Sequence, residues 1–308
     1  TIDDFPEISK MFPGVTQSVS ILTVQKGGQT ESFEVGFNRQ SLDEVLVKGR
    51  MKVSKDRIQK IMGSTLTIPR IDAAGFKLLD TLHSHPSLGS LENIMIRRGE
   101  LDLTNNKNAI THRKTNTPLI RGSHISRFQL VDGRHKAEYV SMSKFKETLS
   151  TSSRSKHIGM KRIACQQVSN MGQRWRLKFA QIEPGTVLAN SCNYIIVNGN
   201  ETSDDLDYYL GILNSELINW RFQVSNFNNH VSIRELQNLP VLEPSKSDTH
   251  VLNLQKAVSN LDYLNIEANV FAVYGFDVHQ AKSILKLRRT PEDEKVQILQ
   301  NLSCLIES

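Results

Sequence analysis

Lys161-Arg162-Ile163-Ala164-Cys165-Gln166-Gln167-Val168-Ser169-Asn170 holds a short β-strand, Ile163 to Val168, closed by residues that favour turns. Tyr194-Ile195-Ile196-Val197 reads the same way, and residues 90 to 200 as a whole read as short strands bounded by Gly, Asn or Ser. The quoted stretch also lies in a run without one acid. Between Glu147 and Glu183 the only charged side chains are Arg154, Lys156, Lys161, Arg162, Arg174, Arg176 and Lys178. A second acid-free run, between Asp102 and Asp132, carries Lys107, Arg113, Lys114, Arg121 and Arg127.

Helical spacing flanks this region. Leu42, Val45, Leu46, Ile58, Ile61, Met62, Phe76, Leu78, Leu79 and Leu82 predict short helices from Ser41 to His83, with Ser54 as a cap. Leu206, Leu210, Leu213, Leu217 and Trp220 predict one long helix from Asp205 to Gln223, with its stripe buried. Beyond Pro244 the chain reads as helices: one through Val251, Leu254, Val258, Leu261 and Leu264, one from Val278 to Leu287, and a last with Thr290 at the cap and Pro291 at the first helical position. At the other end, Ser18 to Gln25 and Glu31 to Phe37 read as a hairpin around Gly27-Gly28. The expected class is α+β: a small mixed sheet with packed helices, followed by a C-terminal helical segment.

Composition removes other classes. With 308 residues, 38% hydrophobic and 23% charged, the chain is long enough for two folded domains and too apolar for disorder. No stretch approaches the roughly 18 apolar residues of a membrane span, and the acidic N-terminus has no apolar signal core behind it. Cys165, Cys192 and Cys304 are too few and too scattered for a disulfide framework or a zinc motif, so a reduced cytoplasmic setting is expected.

The net charge of +6 understates the local polarisation. A solvated basic surface is one reading. Interleaving with His157, Gln166, Gln167, Asn170, Gln173 and Trp175 favours a polyanion site, since Arg, Gln and Asn read base edges while Lys and Arg hold phosphates. Arg174 and Arg176 flank Trp175, so on an extended segment both arginines face one side as base readers and Trp175 anchors on the other; Arg154 and Lys156 are expected at phosphates. Asn228-Asn229-His230 either reads bases or holds a turn.

Catalytic patterns are thin. His83-Ser84-His85-Pro86 resembles the start of a metalloprotease zinc site but lacks the later ligands, with Asn93 and Ile96 standing in their places. Glu292-Asp293-Glu294-Lys295 is accounted for as the first turn of a helix. No phosphate-cradling glycine loop and no nucleophile elbow occurs.

Taken in order, several segments resemble the end of an adenine-specific DNA methyltransferase continuing into a TaqI-like target-recognition domain, as in type IIG restriction-modification enzymes. They are Phe12-Pro13-Gly14-Val15-Thr16-Gln17 with the strand after it, Leu91-Glu92-Asn93-Ile94, Arg98-Gly99-Glu100, and Pro118-Leu119-Ile120-Arg121-Gly122-Ser123-His124-Ile125-Ser126-Arg127-Phe128. In the last of these His124 replaces the usual acid and Phe128 the usual Tyr. Lys161 to Asn170, Val187 to Ile195, Leu210 to Trp220, Asn228 to Val231, Leu239-Pro240-Val241 and Tyr274-Gly275-Phe276 continue the series.

The resemblance implies four parts: 1–40 as the last hairpin of a methyltransferase domain, 41–85 as a helical connector, 86–245 as the DNA target-recognition domain, and 246–308 as C-terminal helices. It implies duplex DNA as partner, with Arg121, His124 and Arg127 joining Arg154, Lys156, Lys161, Arg162, Arg174, Arg176 and Lys178 at the contact. The family binds S-adenosylmethionine through a Gly-rich strand and methylates with an Asn-Pro-Pro-aromatic loop, and neither is in this sequence. The expectation is therefore a recognition fragment that needs no cofactor and does not methylate DNA. It would pair with the catalytic domain of a longer parent. The competing expectation is a protein-interaction piece whose C-terminal helices dock a partner and whose basic loops bind DNA without specificity.

Overall fold

A computed structural model describes residues 1–6, 9–12, 14, 18–132, 136–149, 154–198 and 203–307. Pro13 and 15–17 of the N-terminal resemblance, and 150–153 of the acid-free run, lie outside the described residues. The chain forms two compact units, Thr1–Ser84 and His85–Ser308.

The first unit is a four-stranded sheet, β1 (Ile2–Phe5), β2 (Val19–Leu22), β3 (Ser32–Gly36) and β4 (Met51–Ser54), in the order β2-β1-β3-β4. The predicted hairpin is corrected here. β2 and β3 do not pair with each other; β1 lies between them, antiparallel to β2 and parallel to β3. The sequence hid β1 because its Asp3 and Asp4 break the apolar alternation of a strand, yet both are buried. Asp3 accepts from Arg39 at 3.1 Å and Arg50 at 2.7 Å, and Asp4 from Arg70 at 2.7 Å. Charged partners make burial of the two carboxylates tolerable.

Helices α1 (Asp43–Val47), α2 (Lys55–Met62) and α3 (Ala73–Leu82) complete the unit. Ser54 caps α2 as expected, its Oγ accepting from Arg57 N at 3.2 Å. Ile58, Ile61, Phe76 and Leu79 are buried as their spacing predicts. β4 was not foreseen in what reads as a purely helical connector.

The second unit is built on an antiparallel sheet of β5 (Ile94–Arg98), β9 (Arg162–Gln166), β10 (Phe179–Ile182) and β12 (Cys192–Val197), ordered β10-β9-β12-β5. Two small ladders flank it: β6 (Ile110–Thr111) with β8 (Tyr139–Val140), and β7 (Leu119–Ile120) with β11 (Val187–Leu188). One face of the main sheet packs Ala164, Ala180, Ile182, Tyr194 and Ile196 against Ile125 and Leu188. Helices α4 (Met142–Leu149) and α5 (Arg154–His157) precede β9. The structure is α+β, as the sequence implies.

The long helix predicted from 205 to 223 is two, α6 (Ser203–Leu213) and α7 (Glu216–Gln223). Asn214 and Ser215 break it, because Ser215 Oγ caps α7 by accepting from Ile218 N at 3.2 Å. The stripe from Leu206 to Trp220 remains buried across the break. The asparagines of this pair act as a substitute strand along the sheet edge. Asn214 exchanges two hydrogen bonds with Phe179, at 2.8 and 2.9 Å, and Asn219 accepts from Arg176 N and Leu177 N while donating to Leu177 O. Edge groups that would otherwise stay open are thereby paired.

α8 (Ile233–Gln237) follows, then α9 (Thr249–Ser259), α10 (Tyr263–Val273), α11 (Val278–Leu287) and α12 (Glu292–Glu307). α9 and α10 divide at Leu261, whose φ of 54° ends the single helix that the spacing suggested. α9 packs on α6, and α11 on α7. The C-terminal helices are thus one body with the sheet. No described helix is long and apolar enough to cross a membrane.

Candidate nucleic-acid interface

Two loops meet where β9 and α7 end. Residues 167–173 leave β9, and 226–230 leave α7. They are joined by Ser169 N to Asn229 O at 2.9 Å, Val231 N to Gln167 O at 2.8 Å, Met171 N to Asn229 Oδ1 at 3.0 Å, and a bridge between Val168 and His230. Asn193 on β12 fixes the second loop to the sheet through Val231 O at 2.6 Å.

Arg176, expected at DNA, lies buried beneath both loops. It is 2% exposed and donates to Ser169 O at 3.2 Å, Asn226 Oδ1 at 2.6 Å, Asn226 O at 3.2 Å and Asn228 O at 2.6 Å. Its guanidinium also rests on the Phe222 ring at 5.3 Å. Burial pushes its pKa down while nearby Glu235 pulls it up. A guanidinium so engaged cannot turn outward to a base without unmaking both loops. The reason is local: residues 174–178 are not a regular strand, so the alternation assumed for Arg174, Trp175 and Arg176 does not hold.

Above the clamp the loops present Val168, Asn170, Met171, Gln173, Phe227, Asn228, Asn229 and His230, all exposed. No carboxylate occurs in 166–173 or 226–230. Such a surface offers amide and imidazole hydrogen bonds and apolar contact, with the nearby Glu235 carboxylate engaged by Asn226 and Ser232.

The remaining candidates divide sharply. Arg162 is fully buried, paired with Glu100, donating to Thr186 O at 2.8 Å and stacked on Tyr194 at 4.6 Å. The structure thus places Arg162, like Arg176, in the interior rather than on the surface. Arg121 is paired with Glu138, and Arg127 with Glu267. Arg174 meets Glu216 and, at 3.6 Å, Glu294. His124 is buried, and its Nδ1 accepts from Arg121 N at 3.1 Å, so the imidazole supplies the acceptor where the resemblance has an acid. The neighbouring Gly122 is required there, since a Cβ would lie 2.5 Å from Ser191 O. Lys178 is half-buried, reaches Gln173 Oε1 at 3.4 Å, and burial pushes its pKa down. Arg154 and Lys156 on α5 are exposed, and Lys161 is half-buried.

Arg97 was missed by the sequence reading. It lies opposite Tyr194 in the β5–β12 register and is exposed. Beside it His157 Nδ1 is 2.9 Å from the Tyr194 hydroxyl. Burial, followed by the charges of Arg162, Arg97 and Arg154, pushes the His157 pKa down. The outward cations of this face are therefore Arg97, Arg154 and Lys156. Only the adjacency of Arg97 to the Arg98-Gly99-Glu100 segment pointed to it.

A second arginine cluster serves packing. Arg127, Arg174 and Arg288 surround the Trp175 ring, with guanidinium carbons 3.8, 5.4 and 5.1 Å from its centroid. Buried Glu216 takes Arg174, Arg288 at 2.6 Å and Thr290 at 3.1 Å, and Glu267 takes Arg127 and Glu216 N. The cluster ties α7, α10 and the α11–α12 turn to the segment that carries Trp175.

Among the described residues no group of three His, Cys, Asp or Glu side chains is placed to hold a metal. His85 instead packs edge-on against Tyr274, with centroids 5.3 Å apart. Burial pushes the Cys192 thiol up to about 12 and Cys165 higher still, so neither is a thiolate at neutral pH.

No curated protein matches the chain. Among solved structures, the type IIL restriction-modification enzyme MmeI in complex with DNA is similar over 90% of this chain and 41% of that one, at 10% identity and a TM-score of 0.43. The type IIG restriction endonuclease BpuSI is similar over 97% of this chain and 43% of that one, at 12% identity and a TM-score of 0.44. The chain spans less than half the length of either. Residues 117–241, which contain both loops, Arg176 and the α6–α7 pair, match the TaqI-like C-terminal specificity domain.

Proposed function

We propose that the second unit binds duplex DNA and recognises a particular sequence, as the specificity part of a restriction-modification enzyme. The observation that carries this reading is the acid-free, amide-lined pair of loops inside the segment that matches a specificity domain. Arg97, Arg154 and Lys156 supply exposed positive charge for phosphates, which sets affinity, while the loop amides supply discrimination.

The parent on this reading is an adenine-specific, S-adenosylmethionine-dependent DNA methyltransferase, with or without a fused endonuclease, and residues 1–40 are the end of its catalytic domain, joined by the connector 41–85. On this reading the cofactor is held outside this chain. Gly27 and Gly28 have φ of 83° and 93°, the backbone that the turn between β2 and β3 requires. S-adenosylmethionine belongs to the rest of the parent, and this chain alone is expected to leave DNA unmethylated.

Selection of bound duplexes from a randomised pool by the purified chain tests the reading. Enrichment of one sequence supports it. Recovery of all sequences alike would sink it in favour of a protein-interaction piece with nonspecific affinity.

A further inference from the structure

We infer that loops 167–173 and 226–230 form one composite reader whose register is set by Arg176, a positioning residue that touches no DNA. The inference rests on the DNA-binding reading above. Three observations carry it. The guanidinium of Arg176 ends on groups of both loops: Nε faces Ser169 Oγ at 3.4 Å, Nη1 donates to Asn226 O at 3.2 Å, and the two hydrogens of Nη2 are shared among Ser169 O, Asn226 Oδ1 and Asn228 O. The loops then share a ladder, with Ser169 N on Asn229 O and Val231 N on Gln167 O. The side chain of Asn229 crosses the seam to hold Met171 N. A planar fork with fixed donors can join several carbonyls at once, whereas an ammonium on a flexible stem cannot hold them in one geometry.

Asn228, Asn229 and His230 are accordingly part of the reading surface, together with Val168, Asn170 and Met171. Bridged Val168 and His230 lie side by side and would meet the same or neighbouring base pairs.

The test uses the full chain with Arg176→Lys, Met171→Ala and His230→Ala. Amide hydrogen exchange, measured without DNA, reads the clamp alone: Arg176→Lys should lose protection in 169–173 and 228–231 together, with the sheet unchanged. Exposure of 169–173 alone would overturn the clamp. Duplex selection then reads the shared register. Met171→Ala and His230→Ala should relax preference at the same or adjacent base pairs, and their losses should be non-additive. Arg176→Lys should lower the ratio of specific to scrambled affinity by about tenfold or more, with scrambled binding and its salt slope unchanged. Preferences relaxed at distant positions, or a folded Arg176→Lys that selects as sharply as the parent, would overturn the composite reader. If the unmodified chain selects no sequence, the DNA reading fails and the reader with it, while the exchange result still reports on the clamp.

Discussion

The acid-free run divides at residue 161 into two regions with opposite fates. Before it, Arg154 and Lys156 stand on α5 in solvent. After it, Arg162 and Arg176 are buried and Arg174 is paired with Glu216. The acids that neutralise the second region lie far off in sequence, Glu100 on one side and Glu216 and Glu294 on the other. A basic run in sequence is thus not a basic surface in space. In this run Arg162, Arg174 and Arg176 fasten loops and strands to the core, which the planar multi-donor guanidinium suits.

The largest test of this division is thermodynamic. Arg162→Ala leaves the Glu100 carboxylate buried beside Leu188 N without its cation, and should cost about 3–5 kcal/mol. Lys156→Ala, on the exposed side, should stay within about 0.5 kcal/mol of the parent. Denaturant midpoints measure both. Equal midpoints would erase the distinction between the regions.

A pH dependence sharpens the picture of the inward arginines. Burial raises Glu267 to about 7 in spite of Arg127, with Glu216 adding to the rise. The folded value exceeds the ordinary carboxylate value, so the folded state favours the protonated form. That contribution is complete below the unfolded value near 4.5 and is lost as pH rises through about 7. Half-buried His85 and buried His157, whose pKa values burial pushes down, act in the opposite sense over the same range, so the reading is the difference between parent and Glu267→Gln: the parent's advantage in denaturant midpoint should be larger at pH 5.5 than at pH 8. A parent-versus-variant difference that grows from pH 5.5 to pH 8 would contradict the placement of Glu267.

The smallest expected effect belongs to the outward region. Lys156→Ala should weaken every duplex about equally and reduce the salt slope of log affinity by about 0.9, the value for one phosphate contact. A change at a single base position would make Lys156 a reader and move the boundary between the regions.

Much of the scaffold was legible. Strands β9 and β12, the caps at Ser54, the buried stripe on α6 and α7 and the helix Val278–Leu287 follow from spacing and turn chemistry. What escaped depends on partners distant in the chain. β1 is a strand only because Arg39, Arg50 and Arg70 receive its two acids. Arg162 reads as a surface cation until Glu100, 62 residues away, is seen beside it. The break at Asn214-Ser215 carried a local signal, a capping residue inside an apolar stripe, that the periodicity outweighed. At the candidate site the run itself was legible, and the sorting of its cations into fasteners and contacts was not.

The most direct measurement is the affinity of the intact chain for its selected duplex and for a scrambled duplex of equal length, at two salt concentrations. The account predicts a ratio of about 10³ or more that persists as salt rises, because the discrimination comes from loop contacts rather than from phosphate attraction. A ratio near one at both concentrations would contradict it.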